Sequence, residues 1–272
     1  MKHKISKLFL SLVLSAACAA SVFAKDSVIL EGSTTVLPLA QKTAELFMDN
    51  NPSIDISVRG GGSGVGINSL LSGRCNAANA SRSIKESEIV KGAQKNIRPK
   101  AYVVAMDAIA LIVNNKNSVK ALSKQQVKDI FTGKIKNWKE LGGADVKIVV
   151  VSRDSASGTF EAFNELALGN AKVSKDALMQ ASNQGVANII ATTEGAIGYV
   201  GLGYLGDKVK TVSVAGVVPS VETVLNNTYA YSRPLFMYTN GPAKGAVKQY
   251  IDFVVSKDGQ KAAAELGFVP LK

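Results

Sequence analysis

Ser27-Val28-Ile29-Leu30-Glu31-Gly32-Ser33-Thr34-Thr35-Val36-Leu37-Pro38-Leu39-Ala40 is the stretch whose reading decides the fold. Ser27 to Leu30 reads as a buried strand, Gly32-Ser33-Thr34-Thr35 as a tight loop, and Val36 to Ala40 as the opening of a helix that runs to about Asn50. Pro38 suits the first turn of that helix, where its missing N–H is harmless. The loop has the chemistry of an oxyanion cradle. Glycine lets the backbone turn and approach a ligand, the helix start offers unpaired N–H groups and the positive end of its dipole, and Ser/Thr hydroxyls add neutral donors. Ser33 is placed as a cap of the helix.

Outward from this unit the pattern repeats. Ile54 to Val58 alternates as a strand, enters Gly60-Gly61-Gly62-Ser63-Gly64, and passes into a short helix through Ile67, Leu70 and Leu71. Val146 to Val151 is a strong strand feeding Arg153-Asp154-Ser155-Ala156-Ser157-Gly158-Thr159, after which Phe160, Phe163, Leu166 and Leu168 form an apolar helix face. Strand, glycine loop and helix in succession are the grammar of an open parallel sheet, whose ligands bind at the carboxyl ends of the strands. Ala77 to Ser81 is a further short strand, and Ser83-Ile84-Lys85-Glu86 reads as a capping-box helix start. Tyr102 to Ala105 and Ala108 to Val113 form a pair of apolar strands interrupted by Met106-Asp107, placed as a crossover between two lobes. Ser123-Lys124-Gln125-Gln126 caps a helix to about Phe131, Ala196 to Val200 is strand-like, and Ser232 to Tyr238 is the returning crossover. Helices over about Ala243 to Val255 and Lys257 to Glu265 stop at Gly267 with Pro270 beyond. The expectation is two α/β lobes joined by two strands. The first lobe comprises 25–106 plus 234–272, and the second 107–233.

Composition narrows the function classes. The amino terminus, Met1-Lys2-His3-Lys4-Ile5-Ser6-Lys7 followed by an uncharged stretch from Leu8 to Ala24, reads as a secretory signal peptide over 1–24. Val22-Phe23-Ala24 suits cleavage before Lys25, while Cys18 leaves open a lipid-anchored form. Either form is periplasmic or otherwise extracytoplasmic. Cleavage after Ala24 leaves Cys75 as the remaining one of two cysteines, which excludes an intramolecular disulfide and suits a small buried filler. The formal net charge of +11 falls to +8 with loss of Lys2, Lys4 and Lys7. The remaining lysines are scattered without aromatic interleaving or a nucleic-acid motif, so nucleic acid is not an expected partner. The single histidine, His3, lies inside the signal. A mature chain without histidine cannot perform Ser-His-Asp or Cys-His catalysis or build histidine zinc sites.

Six segments carry a family resemblance: Gly32-Ser33-Thr34-Thr35, Gly62-Ser63-Gly64, Ala80-Ser81-Arg82, Asp129-Ile130-Phe131-Thr132-Gly133-Lys134-Ile135-Lys136-Asn137-Trp138, Arg153 with Ser157-Gly158-Thr159, and Gly195-Ala196-Ile197-Gly198-Tyr199. In this order the chain resembles the phosphate-binding proteins of bacterial high-affinity phosphate ABC importers, over nearly its whole mature length. The resemblance implies a periplasmic-binding-protein-like (type II) α/β fold, with two lobes closing over inorganic phosphate in the cleft and docking on membrane permease subunits. It implies a monomeric receptor with no cofactor, rather than an enzyme. By the same resemblance Thr34 and Ser63 are hydroxyl donors to phosphate, Thr35 a backbone donor, Ser157, Gly158 and Thr159 the donors of a helix start, and Arg153 the arginine that pairs with the anion. Longer members carry aspartate where this chain has Arg82, which is taken as a ligand. Trp138 is read as structural.

Asp107, in the apolar crossover, is the candidate acceptor for the phosphate hydroxyl, with a second role as partner of Arg82 or Arg153. Such an acceptor would discriminate against sulfate, which has no proton to donate. Asp154 is an alternative partner for Arg153. Competing readings are a receptor for sulfate, molybdate or a phosphonate, an extracytoplasmic phosphatase, and a sensory or adhesive surface protein.

Overall fold

The computed structural model describes residues 26–271, so the signal peptide and Cys18 lie outside the described residues. The first two strand–loop–helix units appear as read: β1 (Asp26–Gly32), α1 (Leu37–Asn50), β2 (Ile54–Gly60) and α2 (Ser63–Leu70). They are followed by β3 (Ala77–Ala80), α3 (Glu86–Ala93) and β4 (Pro99–Asn114). The middle of the chain holds β5 (Ala121–Leu122), α4 (Lys124–Phe131), a 3-10 turn at Trp138–Leu141, β6 (Val149–Arg153), α5 (Gly158–Leu166) and β7 (Leu178–Gln180). Then come α6 (Asn183–Thr192), β8 (Ala196–Gly201), β9 (Val209–Val214), α7 (Val221–Leu225), β10 (Ser232–Asn240), α8 (Gly245–Val255) and α9 (Lys257–Glu265).

The main strand order is β2-β1-β3-β10-β4-β8-β6-β7. β2, β1 and β3 are parallel, as are β8, β6 and β7, while β10 and β4 run antiparallel to each other and to their outer neighbours. Both parallel sets therefore end, at Gly32, Gly60 and Ala80 on one side and at Arg153, Gln180 and Gly201 on the other, in loops that meet between them. This is where ligand sites of open α/β sheets form.

β4 and β10 are the two connecting strands, and their burial shows why. The hydrophobic clusters on the β1–β3 side draw on β4 up to Ala105 and on β10 from Leu235 onward. The clusters on the β6–β8 side draw on β4 from Ala108. One strand thus supplies apolar side chains to two cores, and Met106-Asp107 is the seam between them. The structure corrects the reading of two strands here, because β4 is one 16-residue strand through the seam. Asp107 lies opposite Arg233 of β10 in the ladder. A charge matched by its cross-strand neighbour does not break the pairing. The carboxyl tail adds a contact that the sequence did not suggest: Met106 and Val269 exchange backbone hydrogen bonds of 2.8 and 3.0 Å. The tail thereby packs along the same seam.

Two local readings also change. The third helix starts at Glu86 rather than near Ser83, and Glu88 rather than Glu86 closes its first turn, accepting the Lys85 amide at 2.9 Å. β9 and α6 were not anticipated. Ser123 caps α4 as read, accepting the Gln126 amide at 3.1 Å. Trp138 is buried and donates its indole N–H to Gly195 at 2.9 Å, and Cys75 is buried with its thiol pushed up by burial to about 11.

Candidate functional site

The loop after β1 is fixed before any ligand is considered. The Ser33 amide donates to Asn79 O of the adjacent strand at 2.8 Å, and the Ser33 hydroxyl accepts the Thr35 amide at 3.1 Å. Ser33 thus forms the turn and does not cap α1 as its sequence position suggested, because the N-cap position of that helix is Val36, with no side-chain cap. Thr34 and Thr35 are left to project their hydroxyls into the cleft, where both are buried.

From the other side come Arg153, at the end of β6, and the first turn of α5. Ser157 caps that helix by accepting the Phe160 amide at 3.1 Å. Among the described residues, no acceptor lies within hydrogen-bond reach of the Gly158 and Thr159 amides. They are the unpaired donors that a helix start presents to an anion. The two sides touch. Gly64 donates its amide to Ala156 O at 3.0 Å, and a Cβ on Gly158 would lie 2.3 Å from Ser63 Oγ. Glycine at 158 is what lets the helix start approach the serine loop this closely.

Hydroxyls and guanidinium groups link into one chain across the cleft. Arg153 Nη2 donates to Thr34 Oγ1 at 3.1 Å, and Asn183 Nδ2 stands 3.2 and 3.1 Å from Thr34 Oγ1 and Thr35 Oγ1. Thr35 Oγ1 and Thr159 Oγ1 are 2.7 Å apart. Arg233 Nη2 lies 3.0 Å from Thr159 Oγ1 and 3.4 Å from Thr35 Oγ1. Donors outnumber acceptors, and Arg153 Nη1 is buried with no partner. Burial pulls the Arg153 guanidinium down from its usual range, but arginine remains a cation throughout the physiological range.

Asp107 is fully buried, and its partner is Arg233 rather than Arg82 or Arg153. Arg233 Nε and Nη2 donate to Asp107 Oδ2 at 3.1 and 2.9 Å, and the Leu202 amide donates to Oδ1 at 2.9 Å. Burial pushes the carboxyl up and the Arg233 guanidinium down, and their mutual attraction opposes both shifts.

Arg82 is not brought into the cluster. Its guanidinium grips Glu88 through two bonds of 2.8 Å, and its Nε stands 2.9 Å from Glu161 Oε2. Lys85 Nζ also reaches Glu161, at 2.7 Å. These ion pairs join the loop after β3 to the first turn of α5, at the rim of the cleft. Ser63 Oγ accepts the Ser81 amide at 3.0 Å and stands 3.3 Å from the Ser81 hydroxyl. Asp154 accepts the Ala156 amide at 3.0 Å and makes no hydrogen bond to Arg153.

Sequence reasoning missed Arg233 and Asn183. Arg233 had a readable signal, since an arginine in an apolar returning strand must find a buried acidic partner, and Asp107 was the acidic residue in the other crossover. Asn183 had none, because only folding places the start of α6 beside Thr34 and Thr35.

Two α/β lobes that direct donors from opposing loops onto a shared cleft define a solute-binding clamp. A family profile described as a PBP superfamily domain matches residues 19–258. The phosphate-binding protein PstS of Bacillus subtilis (strain 168) is 40% identical over 253 residues, covering 91% of this chain and 82% of that protein. PstS of Staphylococcus aureus (strain USA300) is 33% identical over 253 residues, covering 88% and 76%. A Clostridium perfringens chain, assigned as a phosphate ABC transporter substrate-binding protein and solved with bound phosphate, aligns with a TM-score of 0.85 at 37% identity. The alignment covers 91% of this chain and 100% of that one. The chain belongs to the PstS family of phosphate-binding proteins within the PBP superfamily.

Proposed function

We propose that this chain captures inorganic phosphate between its lobes and delivers it to the permease of an ABC importer, acting as a monomer outside the cytoplasm. The observation that carries the reading is the imbalance in the cleft. Arg153, Asn183, Arg233 and the first turn of α5 all offer N–H groups; threonine hydroxyls, backbone carbonyls and the Asp107 carboxylate take some of them, while Arg153 Nη1 and the Gly158 and Thr159 amides find no acceptor among the described residues. A buried donor without an acceptor costs about 1–3 kcal/mol. A tetrahedral oxyanion supplies the missing acceptors, and Arg153 Nη1 has none until one arrives. The names of the relatives support phosphate as that anion.

In this reading Thr34, Thr35, Ser63, Arg153, Ser157, Gly158 and Thr159 contact the anion, and Asp107 lies beneath them. Arg82 closes the rim instead of binding the ligand. The lobes divide at 25–106 plus 234–272 against 107–233, a boundary supported by the change of core at the Met106-Asp107 seam. The proposed site binds and releases without chemistry. Its serine and threonine hydroxyls have no histidine beside them to act as a base, since the single histidine of the chain is His3.

Calorimetric titration of refolded, phosphate-free protein tests this. The expected result is one site with a Kd of roughly 1 μM or tighter, about 8 kcal/mol, unaffected by excess sulfate. Absence of binding heat at millimolar phosphate refutes the assignment. Loss of binding to sulfate moves it to another oxyanion.

A further inference from the structure

We infer that Arg233 is a second cationic anion-binding residue of the cleft, with Asp107 as the counter-charge that holds it and limits its strength. The inference rests on reading the cleft as an oxyanion site. A guanidinium needed only to neutralise Asp107 would be satisfied by the pair Nε and Nη2 on Oδ2, at 3.1 and 2.9 Å. Nη2 carries two protons, and only one can point at Asp107. The other faces Thr159 Oγ1 at 3.0 Å and Thr35 Oγ1 at 3.4 Å, one hydroxyl from each side of the cleft. Arg233 Nη1 meanwhile donates to Ser81 O at 2.9 Å. The side chain is therefore anchored on its strand partner and aimed at the point where the two threonine loops meet.

The charge count agrees. Arg153, Arg233 and Asp107 are all buried, so the cleft encloses two cations and one anion. A buried ion pair is close to neutral in its effect on stability, but an unmatched buried charge is expensive. The surplus positive charge has no protein partner in the cluster, and an oxyanion is its natural complement. Arg153 belongs to the second lobe and Arg233 to a connecting strand, so the two cations approach the anion from different parts of the fold.

Asp107→Asn provides the discriminating test, because it removes the counter-charge while leaving Arg233 in place. Phosphate titration by calorimetry and thermal melts with and without phosphate are measured together on wild type, Asp107→Asn and Arg233→Lys. If Arg233 binds the anion, Asp107→Asn lowers the melting temperature without phosphate, enlarges the rise that phosphate causes, and tightens the Kd by roughly tenfold. Arg233→Lys keeps the charge and an ion pair with Asp107 but loses the planar fork, and weakens phosphate binding by about tenfold or more.

An unchanged Kd and an unchanged phosphate-induced rise in Asp107→Asn would reduce Arg233 to a structural partner and overturn the inference. Weaker phosphate binding with new competition by sulfate would overturn it differently, making Asp107 the proton acceptor. Should Asp107→Asn fail to fold, Arg233→Lys decides alone, and a wild-type Kd at a wild-type melting temperature refutes the role. Failure of wild type itself to bind phosphate would strike the underlying assignment, and is seen in the same titration.

Discussion

Arg153 shows how a single residue can be legible in sequence while its environment is not. Its place at the end of a strand and four residues before Ser157 marked it as an anion ligand. Only the fold reveals that Nε and Nη2 are held by Gln180 O and Ala181 O at 3.0 and 2.9 Å, so that Nη1 is buried without a protein partner. A hydrogen bond to a charged group contributes about 1.5–3 kcal/mol. Arg153→Met is therefore expected to weaken phosphate binding by roughly 30- to 100-fold, measured by calorimetry; a Kd within threefold of wild type would contradict the assignment. Arg82 is the opposite case. Its position beside Ser81 in a motif suggested a ligand, but Glu88, six residues on, and Glu161, far along the chain, take up its guanidinium. Local sequence carries no information on which of two competing partners, ligand or carboxylate, will reach an arginine first.

At the scale of elements, α5 does two things that its own residues predict and one that they do not. Its start leaves the Gly158 and Thr159 amides unpaired, and its apolar face buries Phe163 against Tyr199 in a stacked pair with ring centroids 4.0 Å apart. The third role is to close the cleft, and it depends on what stands opposite. Gly158→Ala should leave the helix intact, since alanine is a better helix former than glycine. Its added methyl would meet Ser63 Oγ, which belongs to the other lobe. The expected outcome is a lower melting temperature without ligand, because a Cβ 2.3 Å from Ser63 Oγ forces the two loops apart, together with phosphate affinity reduced by at least about tenfold. A loss of stability without a loss of affinity would show that the two loops do not close on each other.

Glu161, one turn into the same helix, meets Arg82 and Lys85 at the rim. Glu161→Gln is expected to speed phosphate release by about two- to fivefold, the range of a partly exposed ion pair, and to remove part of the salt dependence of the release rate. Stopped-flow displacement at low and high ionic strength measures both effects; equal rates for the two proteins would exclude Glu161 from closure.

For the whole molecule, binding and stability are one quantity. Phosphate at 100 times its Kd should stabilise the folded protein by about 2.7 kcal/mol, a rise of roughly 5–10 °C in melting temperature for a chain of this size. A melt insensitive to phosphate would be incompatible with an anion held between two lobes. The sequence by itself determined the first two strand–loop–helix units, the three glycine and hydroxyl loops and the last two helices with their stop at Gly267, because each depends on residues within a few positions of one another. It also placed the crossovers at the apolar segments around Asp107 and Arg233, although it broke β4 into two strands there. Tertiary structure alone decided that Asp107 pairs with Arg233, that Arg82 turns to the rim, and that Asn183 joins the threonines. Those contacts join positions up to 149 residues apart, and a charged or amide group takes whichever partner the packed lobes bring within about 3 Å.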